Sequence, residues 1–159
     1  MALKYKSTER FLKPDPVYGS KLVSKFIGCL MKGGKRSVAE KIFYDAMQII
    51  EGKNDGEDAD ALKVFEQAIA NVKPVIEVRS RRVGGMTYQV PTEVPPKRQT
   101  SLAIRWVLEA AQGVKGRPMH VRLANELLDA YNRQGTSYTR RENTHRMAEA
   151  NRDFAHFAR

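Results

Sequence analysis

The spacing of apolar side chains divides the chain into helical stretches around one segment of a different kind. From Ser20 onward, Leu22, Phe26, Cys29 and Leu30 recur on one helical face with Val23 and Ile27 beside it, and Gly33-Gly34 stops that first helix. Ser37 with Glu40 reads as a capping box for a second helix, whose buried stripe is Val38, Ile42, Ala46, Ile49 and Ile50. A loop is expected over 52–56. Asp58 or a neighbour then caps a third helix, with acids in the first turn, where the helix dipole favours them. Its stripe is Leu62, Phe65, Ile69 and Val72, and Pro74 ends it. A fourth helix over about 97–112 turns Ile104, Val107, Leu108 and Ala111 inward and stops at Gly113. Pro118 opens a fifth, with Val121, Ala124, Leu128 and Tyr131 facing the core and Gly135 closing it. The sixth starts near Ser137 or Thr139 and is far more polar. Met147, Ala148 and Phe154 are its apolar anchors, and Arg140, Arg141, Arg146 and Arg152 dominate its surface.

Between the third and fourth helices the pattern changes to KPVIEVRSRRVGGMTYQVPTEVPPKR, rich in β-branched and aromatic residues. Gly84-Gly85 supplies the positive φ angles of a two-residue hairpin turn, which sets Val83 opposite Met86 and Arg81 opposite Tyr88. Along the first strand Val78, Ser80 and Arg82 share one face, and Glu77, Arg79 and Arg81 the other. Both faces carry charge, so neither can be buried wholesale, and the ribbon at 73–96 should protrude. Residues 1–19 show no sustained period and contain Pro14, Pro16 and Gly19. They read as an extended basic arm, mobile without a partner, that carries Lys4, Lys6, Arg10 and Lys13. With no internal repeat and no long linker, the expectation is mainly α: a six-helix bundle with one protruding β-hairpin between helices three and four. Residues 1–159 would form a single domain.

Charge sharpens this picture. The chain of 159 residues has a formal charge of +10 and a pI near 9.9, which favours a polyanionic partner. The excess is uneven: residues 1–41 hold ten Lys/Arg against three Asp/Glu, 42–72 two against seven, and 73–159 sixteen against eight. The acidic middle should face away from the polyanion and both flanks towards it. The N-terminus lacks the apolar stretch of a signal peptide, and no segment reaches the roughly 20 apolar residues of a membrane span, so a soluble intracellular protein is expected. Cys29, the one cysteine, reads as a small buried hydrophobe.

Catalytic chemistry finds little support. The run from Gly28 to Arg36 lacks the first glycine and the Ser/Thr of a phosphate-binding P-loop, and a helix precedes it rather than a strand. A simpler role remains: a glycine turn presenting Lys35 and Arg36 to phosphate. His120, His145 and His156 have no metal-ligand spacing, and Glu126 and Asp129 have no partnered base or nucleophile. Trp106 reads as core. Tyr88 is open between packing and stacking on a base.

The blocks Ser20-x-Leu22, Phe26-Ile27, Gly34-Lys35-Arg36, Ile42-Phe43 and Ala46 resemble the signature of the bacterial-type small-subunit ribosomal protein seven family. VRSRRVGGMTYQVPTEVPPKR is a second matching block, and RPMHVRLANELLDAYNRQG and ANRDFAHF extend the similarity over essentially the whole chain. The resemblance implies six helices with a ribbon between the third and fourth. It implies a structural rRNA-binding protein that organises the 3′ major domain, near the exit-site tRNA and the mRNA path. The eleventh and ninth small-subunit proteins would be neighbours, the location the cytoplasmic ribosome of a bacterium or a plastid. No cofactor, metal, membrane or small-molecule substrate is implied. The RNA surface would comprise the basic arm, Lys35, Arg36, Arg79, Arg81, Arg82, Lys97 and Arg98, with Lys115 and Arg117 in the loop before helix five. Val83, Gly84, Gly85 and Met86 at the ribbon tip, with Arg140 and Arg141 on helix six, would approach tRNA. The competing reading of the residues is a helix-turn-helix DNA-binding regulator, which leaves the ribbon unexplained.

Overall fold

The computed structural model describes residues 11–53 and 60–158. Its elements run α1 Lys21–Leu30, α2 Arg36–Lys53, α3 Ala61–Val72, β1 Ile76–Val83, β2 Met86–Glu93, α4 Pro96–Gly113, α5 Met119–Tyr131 and α6 Gly135–Ala150, then a 3₁₀ helix over Arg152–Ala158. The fold is mainly helical with an antiparallel hairpin between α3 and α4, as the periodicity predicts. The 3₁₀ helix is an addition to the six expected helices.

One phenylalanine from each of the first three helices meets at the centre. Phe26, Phe43 and Phe65 are fully buried, their ring centroids 5.2–5.6 Å apart, and the Phe65 ring stands nearly perpendicular to both others. Around them pack Ile27, Met47, Ile50, Ile69, Ile104, Val107, Leu123 and Leu127. On α4 all four predicted inward residues are buried, and Trp106 joins the core.

Two stripes are rotated from the expected ones. On α2 the buried residues are Ala39, Phe43, Ala46, Met47 and Ile50, while Val38 is half exposed. On α5 they include Leu123, Ala124, Leu127 and Ala130; Leu128 and Tyr131 only flank the core. In both helices alternative apolar positions sit one residue apart, and tertiary packing selects between them. Cys29 is exposed, because Phe26, Ile27 and Leu30 claim the inward side of so short a helix.

The helix ends also differ. α2 begins at Arg36, so Ser37 lies within its first turn rather than capping it, and Glu40 pairs with Arg36 Nε at 2.8 Å. α2 extends through Gly52 to Lys53, and the rest of the expected loop, with Asp58, lies outside the described residues. Asp60 caps α3, accepting from the Leu62 amide at 3.0 Å, and no acid occupies the first turn. Gly135 opens α6 instead of closing α5, with φ +87. Its lack of a side chain matters there: a Cβ would lie 3.0 Å from Asp129 Cβ and 3.1 Å from Glu126 Oε1. The buried Glu126 carboxylate takes the Ser137 amide at 2.8 Å and its hydroxyl at 2.6 Å, so α5 caps α6 across the turn. On α6 only Ser137 and Ala148 are buried, and Met147 is exposed.

Part of the expected arm is fixed. Asp15 is 2% exposed and accepts from the amides of Val17 and Tyr18, both at 3.1 Å, and from the Tyr44 hydroxyl at 2.8 Å. Burial and that bond push the Tyr44 phenol up to about 12. The chain entering α1 is thereby pinned to α2.

Candidate nucleic-acid interface

The ribbon has the predicted register: Val83 faces Met86 and Arg81 faces Tyr88 across the Gly84-Gly85 turn, with φ +58 and +86. Its base and its shaft behave differently. Val90, Pro91 and Val94 are buried and anchor it, whereas from Arg79 to Gln89 nearly every side chain reaches solvent. At about 3.3 Å per residue, strands of eight residues span about 25 Å.

The ribbon arginines are arranged in three ways. Glu77, buried at the base, holds Arg79 Nη2 at 2.5 Å and Arg98 Nε at 2.9 Å, joining β1 to the first turn of α4. One buried carboxylate between two half-exposed guanidiniums leaves the cluster net positive and fixes both arginines in direction. Arg81 donates to the Phe157 carbonyl in the 3₁₀ helix. Arg82, on the opposite face, is exposed. Tyr88 is resolved in favour of packing: its ring lies 4.9 Å from Phe157, stacked, and 5.3 Å from Phe154. The C-terminus therefore covers the ribbon face that carries Arg81, a contact that periodicity cannot reveal because the 3₁₀ helix buries no residue.

At the far end of α1 the glycine turn is as expected. Gly33 and Gly34 take φ +60 and +73, and Lys35 and Arg36 follow, both exposed. Lys115 and Arg117 are exposed in the loop between α4 and α5. Arg122, on α5, fastens that loop by donating to the carbonyls of Gln112 and Val114. The fold brings the two turns together, since Lys32, Lys35 and Arg122 line one cleft.

A second basic group forms where α4 starts. Lys21 and Lys25 of α1 share a groove with Lys97 and Thr100 of α4 and with Leu12. Lys13, two positions before the buried Asp15, is exposed; Lys4, Lys6 and Arg10 lie outside the described residues. Thus α1 lies beside α4 with cations at both ends, and Lys21, Lys25, Lys32 and Arg122 join the surface although periodicity singled out none of them. Their signal in the sequence was only the positive excess of the segment from 1 to 41 and of the C-terminal half.

The two arginines assigned to α6 are engaged within the protein. Arg140 pairs with Glu109 and lies 5.5 Å above the Trp106 ring. Arg141 reaches the Lys73 carbonyl at 3.3 Å and pairs with Glu142. Beside them His145 Nε2 accepts the Val75 amide at 3.1 Å, tying α6 to the start of the ribbon. Burial, with Arg141 next, holds its pKa below the usual histidine value. Among the described residues no group of three or more His, Cys, Asp or Glu could hold a metal, and no helix is long and apolar enough to cross a membrane.

Residues 2–152 match the family described as ribosomal protein S7p/S5e. The chain is 57% identical over 148 residues to the small ribosomal subunit protein uS7 of Nitratiruptor sp., covering 93% of this chain and 94% of that protein. It is 56% identical over 152 residues to the protein of the same name from Thermotoga neapolitana, covering 96% of each. A Thermodesulfovibrio yellowstonii protein of that name is 57% identical over 149 residues, covering 94% of each chain.

Proposed function

The chain belongs to the ribosomal protein S7p/S5e family, and from that premise we propose that it binds the 3′ major domain of small-subunit rRNA through the basic side formed by α1, α4 and the ribbon. It is a structural constituent of the small ribosomal subunit and not an enzyme. The helix-turn-helix alternative gives way to family membership.

The observation that carries the RNA reading is the juxtaposition of cations from distant parts of the chain. Lys21 and Lys25 meet Lys97 at one end of α4, and Lys32 and Lys35 meet Arg122 at the other. α4 spans about 27 Å over its 18 residues. That spacing suits a ligand with phosphates repeated along its length better than a single small anion. Arg79 and Arg98, oriented by Glu77, continue the surface towards the ribbon, and Arg82 extends it on the uncovered face. Lys115 and Arg117 would widen it beyond the cleft. The basic arm, with Lys4, Lys6, Arg10 and Lys13, would add contacts of its own.

The ribbon tip from Val83 to Met86 would lie near exit-site tRNA and the mRNA path. Arg140 and Arg141 would act there mainly by holding α6 against α4 and the ribbon base. Neighbouring small-subunit proteins would include the eleventh and ninth, and the cytoplasmic ribosome would be the location; the relatives reported above are bacterial. Hydroxyl-radical footprinting of purified protein on small-subunit rRNA tests the proposal. Protection confined to the 3′ major domain is expected, and protection elsewhere or nowhere would overturn it.

A further inference from the structure

The cleft between the glycine turn and the α4–α5 loop has a floor that general phosphate binding does not explain. Its volume is about 320 Å³, and Leu30, Val38, Ile42 and Met119 supply apolar surface. Val38 is 52% exposed on a helix whose neighbouring turns are packed inward. Three cations, Lys32, Lys35 and Arg122, stand around this floor, no acid lines it, and Gln112 adds an amide.

An apolar floor within a cationic rim has the two halves of a nucleotide's chemistry: a flat ring to bury and a phosphate to neutralise. A duplex offers no such group, because its bases are stacked inside. An unpaired base does. We propose that this cleft takes one unstacked nucleobase of the bound rRNA, its ring against Val38, Ile42 and Met119 and its flanking phosphate held by Lys32, Lys35 and Arg122. The cleft is large enough for a single ring system. Arg122 is held by the Gln112 and Val114 carbonyls, which presents its charge at one wall. Gln112, on the same lining, would offer its amide to a base edge.

This site rests on the RNA-binding role proposed above, and its test separates the two. The whole chain, labelled with carbon-13 at Ile, Val and Met methyl groups, is titrated with a 3′ major domain rRNA fragment. An aromatic base above the floor should shift the Val38, Ile42 and Met119 methyls upfield through its ring current, while methyls of the buried core stay near their free positions. A second arm uses Val38→Gln, which wets the floor without changing charge at an already half-exposed position. Affinity should fall on the order of 10-fold, as for loss of one base contact, with the salt dependence unchanged. If the fragment binds while the cleft methyls do not move, the nucleobase site is overturned and RNA binding stands. Movement only when another small-subunit protein is added would overturn it in favour of a protein contact. If the fragment does not bind at all, both readings fail. Should Val38→Gln misfold, the methyl shifts of the unaltered chain still decide.

Discussion

At the scale of single residues, depth of burial decides which substitutions matter. Leu127 is fully buried and Leu128 only flanks the core, although the helical pattern alone favours the latter. Leu127→Ala should therefore cost about 2–5 kcal/mol and Leu128→Ala clearly less, measured by urea unfolding. Equal losses would put both side chains at the same depth. His145 gives a pH signature. Its Nε2 must be unprotonated to accept the Val75 amide, and burial with Arg141 nearby lowers its folded-state pKa. Below about 6.5 the unfolded chain takes up a proton that the folded one resists, so this contribution is complete above that pH. It is lost as pH falls through the unfolded value towards the lower folded one. Thermal unfolding from pH 8 to 5 should show wild type losing stability relative to His145→Gln over that interval. Parallel curves would mean that His145 contributes nothing to this pH dependence.

At the scale of elements, the sequence made the hairpin legible because three independent signals agreed: strand-forming residues, a Gly-Gly turn and flanking prolines. Element order was legible for a similar reason, since five apolar periods and a polar sixth helix were separated by Gly or Pro. Rotation about the axis was legible for α4, whose four expected inward residues are buried, but not for α2 and α5, which each carry two apolar stripes one residue apart. Nor was the fold-back of the C-terminus, which depends on Tyr88, Phe154 and Phe157 meeting from opposite ends of a long sequence interval. The ribbon itself divides into a buried base and an exposed shaft. Removing residues 80–89 and closing with a short Gly-Ser link should preserve helicity, because Glu77 and Val90 stay to hold the base. It should also release the 3₁₀ helix, which loses Arg81 and Tyr88 as partners. Circular dichroism with limited trypsin digestion checks both: unchanged helicity and faster cleavage at Arg152 are expected. Loss of helicity would make the shaft part of the core.

At the scale of the whole molecule, segment charges indicated a polyanionic partner but not which cations would assemble. Lys21, Lys25 and Lys97 come together only because α1 packs beside α4, and no local pattern encodes that pairing. Lys35 and Arg36 stood out in the sequence at the glycine turn and Arg79 on the ribbon, Arg98 only through the family resemblance, and the placing of Lys32 and Arg122 beside Lys35 required the fold. On the function proposed above, this assembled basic side grips rRNA through its phosphates. The most direct measurement is affinity for the 3′ major domain between 50 and 200 mM salt, for wild type and for Lys21→Ala/Lys32→Ala/Lys35→Ala. If about 6–10 phosphates are neutralised, wild-type affinity should fall by about 10³–10⁵ across that range, and each lost lysine should flatten the logarithmic slope by roughly one. A triple variant with wild-type affinity and wild-type slope would contradict the claim.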